Sequence, residues 1–289
     1  MSAGATYRWS RMAWEQKFGL EAGRFTSVNL TLTTILGSAL ALLLYGGLWI
    51  LQRVAPWLDF LTQAFFRPQN LWTVIPLVVL FCWSAVFLVL KAGKLRLQKK
   101  AMAWAVVPAS PDFVLTEETA RAVLERIGAL VDRPDRWMLL NRIERGLSNL
   151  HRLGQVSEVS SVLRGQAEDD ESAVISSFTL VQGFVWAMPV LGFIGTAQGL
   201  AFAIGGFAGV LRGEETNLES IKQGLVQVTG GLGTAFETTL VALVFALVIQ
   251  VWMVFRQRAE LQFLDECNDY CQSHVISKLR LMAAGPGRS

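Results

Sequence analysis

Residues 172–211 read SAVISSFTLVQGFVWAMPVLGFIGTAQGLAFAIGGFAGVL, 40 positions without one Asp, Glu, Lys or Arg. A helix rises 1.5 Å per residue and needs about 20 apolar residues to cross a bilayer, so this run is long enough with several turns to spare. A surface helix of a soluble protein would show a charged face somewhere along such a length. None is present, and the fold is therefore read as one built in lipid.

Working outward, three more stretches have the same character. Residues 25–52 and 68–90 carry no charge, and residues 223–255 are interrupted only by Glu237. The composition agrees, with 52% hydrophobic and 17% charged residues and a mean hydropathy of +0.40, well off the soluble norm. The expectation is an all-α integral membrane protein with four transmembrane helices. The first apolar run follows a segment carrying Arg8, Arg11, Glu15, Lys17, Glu21 and Arg24 and is too long for a signal-peptide core, so no cleaved leader is expected. Trp9, Trp14 and Phe18 point to a helix lying at the membrane interface.

Charge sets the expected orientation. Of the 26 Lys+Arg, 4 fall in residues 1–24, 13 in 91–171 and 5 after Phe255, against 2 in each short connecting loop. The positive-inside rule puts the larger share, and both termini, in the cytoplasm. Lys91, Lys94, Arg96, Lys99 and Lys100 mark the exit of the second span, where their side chains meet anionic headgroups. A nucleic-acid patch is the rival reading of this cluster, but its position accounts for it and no nucleic-acid partner is expected. The net charge of +3 reports topology more than partners.

Along the chain this divides into an N-terminal interfacial segment (1–27), a first transmembrane hairpin (28–91), a helical cytoplasmic domain (92–177), a second hairpin (178–256) and a C-terminal helix and tail (257–289). In the cytoplasmic insertion the pattern predicts helices over 116–131, with Thr116, Glu117 and Glu118 as an N-terminal start, and over 134–153. Trp137, Leu140, Ile143, Leu147 and Leu150 form the apolar face of the second, with Arg136, Arg142, Glu144, Arg145 and Arg152 on other faces. About 80 residues hold little core of their own, so the insertion is expected to pack on extensions of the spans. The acidic run 168–171 reads either as a solvated helix face or as a docking surface. Leu-rich residues 31–49 and the aromatic-rich residues 71–90 look suited to face lipid or pack peripherally.

The last two spans look built for contact. On a helix of 100° per residue, Gly192, Thr196, Gly199, Ala203 and Gly206 fall within about 60°, with Gly195 at the edge. Ala235, Thr239, Ala242 and Ala246 form a second small stripe. Small residues let membrane helices approach closely, and Pro189, just before the first stripe, lacks the N–H that would complete the helix ladder. Thr196 and Thr239 are the polar points of these surfaces. Threonine in a spanning helix ordinarily bonds a carbonyl of the preceding turn; two on facing stripes can also order water or supply oxygens to an ion. Glu237 is the only charge inside the spans and lies about 160° from Thr239. It reads as a relay or subunit-interface residue, or as a structural glutamate near the external end. If it does not carry the ion, another chain must supply the carboxylate.

The string Pro189-Val-Leu-Gly192-Phe-Ile-Gly195-Thr196-Ala-Gln-Gly199 resembles the P-x-x-G-x-x-G-T-x-x-G signature of the MotA/TolQ/ExbB proton-channel family, and Ala235-Phe-Glu-Thr-Thr239-Leu-Val-Ala242-Leu resembles its A-L-x-x-T-x-x-G-L segment. The resemblance covers residues 175–260; the four-span layout with a cytoplasmic insertion is like that of the flagellar MotA type. Ala242 replaces the family's usual Gly, and Val248 stands where TolQ and ExbB types carry Pro. The resemblance implies a bacterial inner-membrane pentamer around two copies of a MotB/TolR/ExbD-like single-span partner that brings an essential Asp. It implies that Thr196 and Thr239 line an ion pathway, with Pro189, Gly192, Gly195, Gly199, Ala203, Ala235 and Ala242 on the pore face, and that H⁺ or Na⁺ is carried with no cofactor.

The rival from another class is a four-span scaffold whose small stripes only assemble a complex. A metal or redox site is a third reading, since Cys267, Cys271 and His274 share a helix face; the alternative is a reduced pair on a packed face. His151 reads as a surface residue. No nucleotide loop, nucleophile constellation or paired-carboxylate site is present, so no enzymatic activity is expected.

Overall fold

A computed structural model describes residues 7, 25–54, 59–68, 70–104, 106–108, 110, 113–148, 156–212 and 218–280. Regular structure among them is helical: α1 Leu30–Val54, α2 Asp59–Phe66, α3 Leu71–Met102, α4 Glu117–Leu130, α5 Met138–Ser148, α6 Val156–Ser177, α7 Thr179–Arg212 and α8 Leu218–Cys271, closed by a π turn over Gln272–Ile276. Among the described residues, four helices are long and apolar enough to cross a membrane. The protein is a membrane protein. The interfacial segment around Trp9, Trp14 and Phe18, the loop at 213–217, His151 and the tail after Arg280 lie outside the described residues.

The chain forms two compact units. One, here the polar unit, gathers Met1–Leu32, Val89–Phe178 and Phe255–Ser289; the other, the apolar unit, holds Thr33–Leu88 and Thr179–Val254. Each boundary falls within about eight residues of an end of an apolar run, so the division broadly follows the change of solvent that the sequence encodes.

In the apolar unit the second span occupies the interior. Val74, Val78 and Cys82 of α3 are buried with Ala41 of α1, and Phe245 of α8 packs against them, stacked on Phe81 with ring centroids 4.2 Å apart. A side chain at Gly37 would meet the Trp83 backbone at 2.9 Å, so α1 crosses α3 at backbone range, and Trp83 Nε1 donates to Thr34 Oγ1 at 3.2 Å. The peripheral role expected for residues 71–90 is therefore corrected: 56% of the apolar window of α3 is buried, against 11% for α1, 22% for the third span and 28% for the fourth. Bulky aromatic and β-branched side chains fill a helix-lined interior, whereas glycine stripes bury little area each. Trp72, Trp186 and Phe236 point outward, where only lipid or another protein chain suits them.

In the polar unit, Thr116 caps α4: the Thr119 N–H donates to Thr116 Oγ1, and the Thr116 N–H donates to Thr119 Oγ1 at 2.7 Å. Threonine thus takes the place that glutamate or glutamine usually fills in a capping box. Residues 134–136 form a 3₁₀ turn before α5, so the second helix starts later than its pattern predicts. Trp137, Leu140, Ile143 and Leu147 form the small core. The unit is tied to extensions of the spans, as expected. Gln98 of α3 donates through Nε2 to the Arg136 carbonyl at 2.7 Å and accepts the Met138 N–H at 3.0 Å, satisfying the start of α5. Leu115 pairs with the C-terminal segment through its N–H to Lys278 O at 2.7 Å and its carbonyl from the Arg280 N–H at 3.1 Å.

Among the described residues, two buried ion pairs hold this unit. Lys91 Nζ meets Glu260 Oε2 at 2.7 Å with both side chains at most 1% exposed, Thr26 Oγ1 donates to the same oxygen at 3.1 Å, and the Lys91 ammonium sits 4.2 Å from the centre of the Phe178 ring. Arg142 Nε donates to Asp170 Oδ2 at 2.7 Å. Arg142, assigned by its helical position to a polar face, is only 2% exposed, and Asp170 of the acidic run is buried with it. The sequence periodicity places Arg142 correctly on its helix, but α6 arrives on that side and turns it inward.

Candidate functional site

The site is built where α7 meets α8. Gly192, Gly195 and Gly199 are buried, as are Ala203, Ala235 and Ala242, because the two helices touch along both small stripes. A Cβ added at Gly195 would lie 2.8 Å from Thr238 Cβ, and one at Gly199 would lie 2.6 Å from the Gly231 carbonyl oxygen. In return, a Cβ at Gly231 would lie 2.7 Å from the Gly199 oxygen. Gly199 and Gly231 thus set a backbone-to-backbone contact that a side chain at either position would obstruct. Pro189 is half-buried inside a helix that continues through it. It has no N–H to give the carbonyl one turn earlier.

At the middle of this contact the hydroxyls of Thr196 and Thr239 bond to each other. Thr196 Oγ1 also lies 3.1 Å from the Gly192 carbonyl and 3.3 Å from that of Ala235, and Thr239 Oγ1 lies 3.1 Å from Gly192 O. Four oxygens therefore share two hydroxyl protons. If Thr196 donates to Thr239, then Thr239 donates to Gly192 O; if the pair reverses, Thr196 donates to Gly192 O or Ala235 O. Either arrangement satisfies both donors without water, and both leave oxygen lone pairs in excess.

Glu237 is elsewhere on α8. Its Oε2 lies 3.3 Å from Arg67 Nη1, with the two side chains 30% and 34% exposed. The distance is that of an ion pair, although Oε2 lacks a hydrogen bond of good geometry among the described residues. Screening by solvent limits such a pair to under about 1 kcal/mol. The helix brings Glu237 to Arg67 and Thr239 to Thr196, so the two polar features of α8 are used separately.

Beyond the apolar stretch, which ends at Phe255, Cys267 and Cys271 are buried and free. Burial pushes their thiols up to about 12 and about 11, so both stay protonated at neutral pH. His274 stacks on Tyr270 with centroids 4.4 Å apart, and its Nδ1 lies 2.7 Å from Ser273 Oγ. No metal-ligating cluster of three occurs among the described residues.

Residues that sequence reading passed over include Gly231, Thr238 and Arg67. Gly231 stands four before Ala235, so the fourth-span stripe extends one turn further than quoted, and that signal was available. Thr238 is buried and returns its hydroxyl to Ala235 O at 3.0 Å and Thr234 O at 3.2 Å. Its β-carbon fills the space opposite Gly195. Arg67 is one of two cations in its connecting loop, which made it a natural partner for the single intramembrane carboxylate.

No family model, no curated protein and no solved structure matches the chain.

Proposed function

We propose that the protein is the channel subunit of a membrane motor that couples proton or sodium flow to mechanical work, as a pentamer around a single-span partner. The observation that carries this reading is the pairing of Thr196 with Thr239: the two motif threonines, 43 residues apart, bond to each other on contacting glycine and alanine stripes. An oxygen-rich, carboxylate-free cluster is suited to pass an ion to an acid but not to release or hold a proton, because threonine does not titrate near neutral pH. The partner's Asp supplies that acid, and its neutralisation and recharging beside the threonines drives rotation of one component against the other. Each proton crossing 100 mV releases about 2.3 kcal/mol, so the coupling is stepwise and tight. The positive-inside count supports an orientation with both termini in the cytoplasm, and the resemblance supports a bacterial inner membrane.

One observation favours a second reading, a four-span scaffold without conduction. The small stripes are consumed by contact within one chain, and both threonine hydroxyls are satisfied there. Ion flux into proteoliposomes holding this protein and the product of the neighbouring gene separates the two. The channel reading expects flux that falls at least tenfold in both Thr196→Ala and Thr239→Ala while the complex still assembles. Absent flux, or flux unchanged in both variants, sinks the pathway assignment.

A further inference from the structure

Within the polar unit, α4 is lightly built. Of its 14 residues only Ala120, Val123 and Ile127 are buried, and a helix of that length is marginal in water without a packed face. Short segments distant in the chain hold its two ends. At the C-terminal end the Tyr7 N–H donates to Leu130 O at 2.9 Å, and the Tyr7 ring stacks on Trp104 with centroids 4.7 Å apart. The N-terminal end is held from the far end of α8.

Among the described residues, three anchors join that end of α8 to the segment leading into α4. Tyr270 Oη accepts the Val107 N–H at 3.3 Å. Lys278 Nζ donates to the carbonyls of Pro108 at 2.8 Å and Ser110 at 3.0 Å. Leu115 and Leu279, both buried, form a parallel β-bridge, closed by the Leu115 N–H to Lys278 O at 2.7 Å and the Arg280 N–H to Leu115 O at 3.1 Å. Leu115 directly precedes Thr116, the cap of α4, so the bridge fixes where that helix begins. The π turn over Gln272–Ile276, a rare conformation, separates residues 277–280 from the regular part of α8.

We propose that residues 277–280 are a strap whose attachment sets how firmly α4 is held, separately from α5 and α6. Those two helices have a basis of their own in the core around Trp137, Leu140, Ile143 and Leu147 and in the Arg142–Asp170 pair. Release of the strap therefore loosens α4 as a local unit and leaves its neighbours in place. The strap does not rest on the channel reading. The test is hydrogen–deuterium exchange of the full-length protein in detergent, read peptide by peptide, in the parent, in Lys278→Met, in Arg280→Pro and in the double variant. Lys278→Met removes the two bonds to Pro108 and Ser110; Arg280→Pro, at an exposed position, removes the N–H that Leu115 O accepts. The expected result is exchange over 117–130 at least tenfold faster in the double variant and at least threefold faster in each single one, with 138–148 and 156–177 within twofold of the parent. Unchanged exchange over 117–130 would overturn the strap. So would an equal rise over 138–177, because the segment would then hold the whole unit together. If the double variant does not fold, the two single variants decide by the same readings.

Discussion

The two units of this protein handle polarity in opposite ways. The polar unit buries full charges, Lys91 with Glu260 and Arg142 with Asp170, in pairs that are almost closed to solvent. The apolar unit buries hydroxyls, Thr196 with Thr239, and leaves its one described ion pair, Arg67 with Glu237, about one-third exposed. Desolvating a charge costs several kcal/mol and is repaid only by a close partner with further hydrogen bonds. A hydroxyl satisfies itself on a carbonyl one turn back at little cost. Under the proposed channel reading, this difference separates a unit that holds its elements in one register from one through which an ion passes.

This contrast breaks most sharply at Glu260. Replacing it alone with Leu leaves Lys91 buried without its partner and is expected to cost about 3–5 kcal/mol, whereas Lys91→Met with Glu260→Leu together is expected to be near neutral. Denaturant titration of the purified protein reads both; a double variant as damaged as the single would mean the charges do more than satisfy each other. Next in size is Gly199→Leu in the apolar unit. Its side chain would enter the space of the Gly231 carbonyl, and overpacking of this kind is expected to cost about 3 kcal/mol, seen as a lower Tm. A Tm equal to that of the parent would show that α7 and α8 need not touch.

Smaller effects sharpen the comparison. Thr196→Ala and Thr239→Ala each remove a hydroxyl whose neighbours keep other partners, so a loss of about 1 kcal/mol is expected, against the tenfold loss of flux the channel reading requires. The separation of a small stability change from a large functional one is the signature to look for in paired Tm and flux measurements. Glu237→Gln comes last, at under about 1 kcal/mol, because its pair with Arg67 is part-exposed and screened. A large drop in flux there, with Tm unchanged, would transfer the ion-carrying role to Glu237.

How much of this was legible in the sequence depends on distance along the chain. The four spans follow from long apolar runs, broken only by Glu237 in the fourth, and α4 with its cap at Thr116 follows from local residue types. The contact stripes follow from helical spacing around Gly192 and Ala235. The interior place of the second span was not legible, because a run of Val, Leu and aromatics serves equally well against lipid or against other helices, and periodicity is blind to that choice. α6 escaped notice because its buried apolar positions Val159, Leu163 and Val174 are few and are interrupted on the same face by Asp170. The pair Lys91–Glu260, 169 residues apart, and the inward turn of Arg142 toward Asp170 arise only once the insertion packs on the spans. Within the candidate site, the threonines were found by motif and spacing, whereas the satisfaction of both hydroxyls within one chain is a product of how closely the glycines let α7 and α8 approach.

The most direct measurement is electron cryo-microscopy of this protein purified together with the neighbouring gene's product. The account predicts five copies around two central helices, with a partner Asp beside the Thr196–Thr239 pair of at least one copy. A closed assembly with no central helix pair, or one in which that threonine pair faces away from the partner, would contradict it.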